Sequence, residues 1–219
     1  MKIIAVDFDG TLYEGNSMKG TVKATKENFT LKDWWTISKG VLKGAIVAFH
    51  KGKNGFKIEF FKAFAMTFKG KHQNEIAEYF NALAEESVLE INQQLLKKIK
   101  EYINNGDKVI ILSASLQPFL QTLVARLGLD LAAIGSKLVF DERGICTGEI
   151  GMINQGENKV NQLRKWITEN GYENQELWAY ADSESDIPLF EYVQHPVVVN
   201  PSNEMKDIAK KRGWELFKS

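Results

Sequence analysis

The chain is punctuated by apolar runs only three or four residues long: Ile3-Ile4-Ala5-Val6, Val109-Ile110-Ile111-Leu112, Leu177-Trp178-Ala179-Tyr180 and Val197-Val198-Val199. Unbroken apolarity over so few residues suits strands buried on both faces, as in a parallel sheet covered by helices. Between the runs lie segments of helical period. Residues 92–104 place Leu95, Leu96, Ile99, Tyr102 and Ile103 on one face, and residues 158–170 do so with Val160, Leu163, Trp166 and Ile167. This alternation predicts an α/β fold: a doubly wound, mostly parallel sheet with right-handed crossovers. A hairpin is expected over 137–150, where Asp141-Glu142-Arg143-Gly144 separates two strand-like runs.

Roughly residues 15–88 interrupt this pattern without a convincing strand. Residues 31–49 set Leu31, Trp34, Trp35, Val41, Leu42, Ala45, Ile46 and Phe49 on one helical stripe, with Lys32, Lys39 and Lys43 on the other face. After a break at Lys51–Gly55, a second helix over about 57–69 carries Ile58, Phe61, Phe64, Ala65 and Phe68. A third over about 73–86 carries Ile76, Tyr79, Phe80 and Leu83. The expected organisation is an α/β core of residues 1–14 and 89–219 with a helical subdomain, 15–88, inserted into it.

The length of 219 residues accommodates one such domain with an insertion. The 24 aromatic residues and low net charge exclude intrinsic disorder. Equal numbers of basic and acidic residues, 28 of each, argue against a nucleic-acid partner. That neutrality is an average. From Ser17 to Lys71 there are 12 Lys against Glu27, Asp33 and Glu59, a net of +9, so the remainder carries −9. The same stretch holds nine of the aromatics. Either lysines solvate helices whose aromatics pack inside, or the segment presents a surface to an anionic substrate or an anionic membrane. The lone Cys146 excludes an internal disulfide and a multi-thiolate zinc site, and reads as a packed thiol. His50 and His72 lack a partner at metal-ligand spacing and read as surface or packing residues. Only four apolar residues separate Lys2 from Asp7, so no secretory signal is expected. No apolar stretch approaches the roughly 20 residues that span a bilayer. A cytoplasmic location is expected.

The chemistry concentrates where the apolar runs end. The first leads into Asp7-Phe8-Asp9-Gly10-Thr11, and strand ends of an open α/β sheet are where ligands bind. Gly10 permits a turn and close backbone approach to an anion. The third leads into Asp182-Ser183-Glu184-Ser185-Asp186. Carboxylates from two strand ends can converge on one hard cation such as Mg²⁺. Asp182 or Ser185 could equally cap a helix starting near Asp186, with Pro188 in its first turn. The second run ends in Ser113-Ala114-Ser115, where a hydroxyl can donate to a phosphoryl oxygen. Capping the helix around Pro118 suits Ser115 better than Ser113. Lys159, in Gly156-Glu157-Asn158-Lys159, sits in a helix's first turn against the macrodipole. A local anion would explain it; a solvated surface position is the alternative.

In order and spacing these four segments resemble the haloacid dehalogenase superfamily, and within it the phosphoserine-phosphatase-like subfamily with a C1-type helical cap. The resemblance implies an enzyme: a Mg²⁺-dependent phosphatase of a small phosphomonoester. Asp7 would be the nucleophile that forms an aspartyl-phosphate, and Asp9 the general acid and base. Phe8, Asp9, Gly10, Ser113, Ala114 and Lys159 would hold the phosphate. Asp7, the backbone carbonyl of Asp9, Asp182 and Asp186 would hold the metal. Asp9 favours a phosphatase or phosphomutase over a dehalogenase. The resemblance departs from phosphoserine phosphatases in substrate recognition. Leu12-Tyr13-Glu14-Gly15-Asn16-Ser17 offers Glu14 as a partial match for their amine-binding acid, and no Arg precedes Arg126. Two alternatives are a phosphatidylglycerophosphate-type lipid phosphatase docking peripherally on anionic membrane, and a non-enzymatic phosphoacceptor or binding module on the same scaffold.

Overall fold

The computed structural model describes residues 1–17, 19–20 and 30–219; among residues 31–67 the side chains of 48, 50–55 and 57, His50 included, lie outside the described set. Seven strands form one sheet: β1 (Lys2–Val6), β2 (Lys108–Leu116), β3 (Ala132–Phe140), β4 (Cys146–Met152), β5 (Glu176–Ala181), β6 (His195–Val199) and β7 (Glu215–Phe217). Their spatial order is β4-β3-β2-β1-β5-β6-β7. Every pairing is parallel except β3 with β4. The expected mostly parallel α/β architecture is therefore present, and so is the hairpin, which continues the main sheet as its edge. β7 lay outside the sequence reading because three residues, one of them Glu215, give no apolar run; its pairing with β6 creates it.

β1 is central, between β2 and β5. The chain winds from it to β2 and β3 on one side, then to β5, β6 and β7 on the other. Val6 is in register with both Ile111 and Tyr180, so the residue after it emerges at the point where winding reverses. That crevice is where doubly wound folds bind ligands. The alternation along β1 feeds two cores. Ile4 and Val6 pack on one face with Ile111, Tyr180 and Val199, while Ile3 and Ala5 pack on the other with Ile110, Ala179 and Val198.

Seven helices flank the sheet among the described residues: α1 (Leu31–Thr67), α2 (Gln73–Ser87), α3 (Gln93–Asn104), α4 (Gln117–Arg126), α5 (Glu157–Asn170), α6 (Ile187–Tyr192) and α7 (Asn203–Arg212). Val160, Leu163 and Ile167 of α5 cover one face of the sheet, and Leu95 and Ile99 of α3 the other. His72 caps α2, its Nδ1 accepting the Asn74 amide at 3.2 Å.

α1 is not straight. Sixteen residues of helix would separate Lys43 from Glu59 by about 24 Å, yet Lys43 Nζ is 2.7 Å from Glu59 Oε2. A Cβ on Gly40 would fall 2.1 Å from that of Ala63, and one on Gly44 3.0 Å from the Phe56 ring. The segment doubles back between Gly44 and Phe56 into two antiparallel arms. The break expected at Lys51–Gly55 falls on residues outside the described set, between the two arms.

The second arm packs as its pattern predicts. Phe61, Phe64, Ala65 and Phe68 are buried and Ile58 half-buried; Phe60, outside that pattern, is buried as well, and ring contacts run from it through Phe64, Phe68, Phe80 and Phe119 to Phe8 beside the site. The first arm corrects the idea that its aromatics pack inside. Its buried face is Ile37, Gly40 and Gly44, because two glycines let the arms approach closely; Leu31, Trp35, Leu42, Ile46 and Phe49 face outward. Beyond the second arm, the chain bonds to the β3–β4 hairpin, with Cys146 N donating to Lys71 O at 2.8 Å and Gln73 N to Gly144 O at 2.9 Å.

Candidate active site

Asp7 follows β1, and its amide donates to Tyr180 O at 2.8 Å, which extends the ladder one residue past the strand. A tight turn follows: Thr11 and Tyr13 amides both donate to Phe8 O, and Gly10 N donates to Tyr13 O at 2.8 Å. Gly10 has φ +79°, and a Cβ there would lie 2.4 Å from Asp182 Oδ2. The glycine therefore makes room for the carboxylate arriving from the end of β5. The Gly10 amide itself is committed to Tyr13, so what Gly10 brings to the cavity it lines is the turn and the space. Phe8 is fully buried, its ring stacked on Tyr13 at 5.1 Å, so its side chain anchors the turn in the core.

The turn borders a polar cavity of about 180 Å³ lined by Asp7, Asp9, Gly10, Ser113, Ala114, Lys159 and Asp182, together with Gly15, Asn16, Gln155, Ser183 and Ser185. All of the residues expected there except Phe8 and Asp186 line it, and Asp186 lies immediately behind Lys159. The ammonium of Lys159 is buried, 2.6 Å from Asp7 Oδ1 and 2.5 Å from Asp186 Oδ1. The solvated alternative for Lys159 is excluded, and the local anions that explain it are these two carboxylates. Burial alone would lower its pKa; Asp186 and Asp7 outweigh that and hold it above the ordinary lysine value. Burial raises the Asp7 carboxyl well above the usual range against the pull of Lys159, with Asp186 and Asp182 pushing the same way.

Asp7, Asp182 and Asp186 each offer a carboxylate oxygen, all within 4.8 Å of one another. Hard oxygen donors converging beside a side-chain-free glycine fit an Mg²⁺ ion. Thr11 Oγ1 orients Asp182 through Oδ1 at 3.4 Å, and Ser183 Oγ donates to Asp186 Oδ2 at 2.8 Å. The capping alternative is not realised, because neither α6 nor the turn before it has a side-chain cap.

Asp9 points elsewhere. Its Oδ1 accepts the Ser17 amide at 2.6 Å, and its Oδ2 accepts Ser17 Oγ at 2.7 Å and Ser115 Oγ at 3.1 Å. Ser115 is thus no helix cap; α4 begins without one. Ser113 Oγ accepts the Ser115 amide at 3.0 Å, which leaves its own hydrogen to donate into the cavity. The sequence does not mark Ser17, Asn16, Gln155 and Ser115 as site residues, since single small polar residues without a repeat carry no spacing pattern. Glu14 is exposed and absent from the lining. Cys146 is buried, and burial raises its thiol pKa, as a packed thiol requires.

Comparison with known proteins agrees with this geometry. The family model described as haloacid dehalogenase-like hydrolase matches residues 4–191. A histidinol-phosphatase from Neisseria meningitidis serogroup C (strain 8013) is 31% identical over 150 residues, covering 66% of this chain and 67% of that one. The phosphoserine phosphatase SerB1 of Mycobacterium tuberculosis (strain ATCC 25618 / H37Rv) is 30% identical over 116 residues, covering 52% and 37%. The chain spans about half the length of the curated relatives it matches, from 37% to 67%. Among solved structures, a protein of unknown function from Bordetella pertussis Tohama I shares the fold at TM-score 0.82 and 19% identity, over 99% of this chain and 97% of that one. The ends of β1, β2 and β5 and the first turn of α5, which build the cavity, all fall within the matched residues, and the chain belongs to the haloacid dehalogenase-like hydrolases.

Proposed function

We propose that the protein is a Mg²⁺-dependent phosphatase of small phosphomonoesters that works through an aspartyl-phosphate on Asp7. The observation that carries this reading is the pairing, in one small polar cavity, of a buried Asp7–Lys159 contact with a second carboxylate, Asp9, held apart by serines. Relatives named histidinol-phosphatase and phosphoserine phosphatase support it.

A carboxylate oxygen of Asp7 attacks phosphorus in line with the ester oxygen. As that bond breaks, Asp9 delivers a proton to the leaving alkoxide. Asp9 then takes a proton from the water that attacks the aspartyl-phosphate, releasing inorganic phosphate and restoring Asp7. Serine hydroxyls both donate and accept, so Ser17 and Ser115 can serve Asp9 in either protonation state. Lys159 and Ser113 hold the phosphoryl oxygens, where charge accumulates. When bound by Asp7, Asp182 and Asp186, Mg²⁺ supplies charge that shields the attacking carboxylate from the phosphate.

Residues 15–88 are proposed as a cap: Gly15 and Asn16 line the cavity, and Ser17 joins that segment's start to Asp9. A cap seated there would close the site against water. Lys159 is the single cation among the described lining residues, and it is taken up by Asp7 and Asp186. This favours a phosphomonoester without a carboxylate that needs its own partner.

The test is hydrolysis of p-nitrophenyl phosphate. Turnover that requires Mg²⁺ and vanishes in Asp7→Asn is expected. Stable phosphorylation of Asp7 without turnover would overturn the reading in favour of a phosphoacceptor module.

A further inference from the structure

The first arm of α1 leaves much of its apolar stripe exposed. Leu31 is 90% exposed, Trp35 62%, Leu42 66%, Ile46 61% and Phe49 88%. At 100° per residue these positions, with Val41 and Ala45, cover an arc of about 140° on one side of the helix. Lys32, Lys39 and Lys43 border that arc, all exposed, and Lys39 Nζ lies 3.3 Å from the Trp35 ring centroid. The opposite side of the arm, Ile37, Gly40 and Gly44, is the one that packs on the second arm. An exposed apolar face of this size, bordered by cations along one edge, marks an interaction surface.

We propose that this face docks the protein on an anionic lipid bilayer, with the arm lying in the plane of the headgroups. Two features select this occupant. The first is composition: aromatic and aliphatic side chains occupy the arc apart from Ser38, and Lys32 and Lys39 lie where their stems can run along its edge while their ammonium groups reach phosphates. The arm is an amphipathic interfacial helix, and no helix among the described residues is long and apolar enough to cross a membrane. The second is charge. A second copy of this chain would bring the same lysine border against itself inside a segment of net charge +9. Of the border lysines, Lys43 is already paired with Glu59, which leaves Lys32 and Lys39 as the cations that a second copy would set against their own equivalents. Anionic headgroups supply the missing negative charge, and the attraction should weaken as salt screens it.

The experiment is co-flotation of the whole protein with phosphatidylcholine vesicles, with and without phosphatidylglycerol, at low and high salt. Binding is expected only to the anionic vesicles and mainly at low salt. The combined variant Trp35→Ser, Leu42→Ser, Ile46→Ser should bind at least about tenfold more weakly, because it removes the apolar insertion. Lys32→Gln with Lys39→Gln should erase the preference for anionic lipid. All five positions are exposed, so unchanged thermal unfolding is expected and separates loss of docking from loss of fold. The proposal is overturned if the wild type stays with the soluble fraction on anionic vesicles. It is equally overturned if the triple variant binds as well as the wild type. A wild-type dimer in sedimentation velocity that the triple variant dissociates, with no vesicle binding, would assign the face to a second copy.

Discussion

Ser17 grips both oxygens of the Asp9 carboxylate, its amide 2.6 Å from Oδ1 and its hydroxyl 2.7 Å from Oδ2. Ser17 stands at the start of the helical insertion and Asp9 in the turn after β1, so the two parts of the molecule meet at the proposed proton donor. Ser115, 2.5 Å from Ser17 Oγ, ties the end of β2 into the same network.

Ser17→Ala removes the hydroxyl and keeps the amide. Hydrogen bonds to charged groups contribute about 1.5–3 kcal/mol, so kcat should fall about ten- to a hundredfold. KM should stay within a few-fold. Steady-state kinetics checks this, and a wild-type kcat would reduce Ser17 to a structural tether.

Lys159→Met leaves Asp7 and Asp186 buried without their shared cation. Breaking a buried pair in this way costs about 3–5 kcal/mol. The loss should be largest in EDTA and partly reversed by Mg²⁺, since a ligand of the native state alone stabilises it. Thermal unfolding with and without Mg²⁺ measures both. The raised Lys159 pKa means its contribution is complete below the unfolded value of about 10.4. On the alkaline side it should therefore persist until strong alkali deprotonates the ammonium.

Gly10→Ala meets two obstacles, a left-handed φ of +79° and an Asp182 oxygen 2.4 Å from the new Cβ. Gly106→Ala is the control, with φ +80° and open space around it. Both should lose about 1–2 kcal/mol of stability from the backbone. Only Gly10→Ala should also raise the Mg²⁺ concentration needed for half-maximal turnover.

Glu59 is held below the ordinary glutamate range by hydrogen bonds from Lys43 and Lys62, one on each arm of α1. A lowered carboxyl stabilises the fold above its unfolded value, about 4.3, and that contribution disappears as pH falls through the lower folded value. Glu59→Gln should cost about 0.5–1 kcal/mol at pH 7. The gap to wild type should close by about pH 3, which melting curves over that range would record.

The strands were legible because burial on both faces leaves an unbroken apolar run, and Ile3–Val6 needs no tertiary information to be recognised. The carboxylates were legible because each follows such a run, where an α/β sheet exposes its strand ends. Ser17 and Ser115 were not, since their role exists only when two segments 98 residues apart meet at one carboxylate. A helix cap is the one role that local sequence offers Ser115.

Sequence alone determined that residues 31–49 would form an amphipathic helix, because period is a property of the chain. Which side of that helix faces the protein was decided by tertiary packing. Two glycines four residues apart gave the second arm its closest approach, so the smooth face went inward and the tryptophans outward. Likewise the charge of Lys159 was evident from the chain, while its burial between Asp7 and Asp186 was not. That placement arises only where the ends of β1 and β5 and the first turn of α5 converge, and there desolvation makes each of these charges depend on the others.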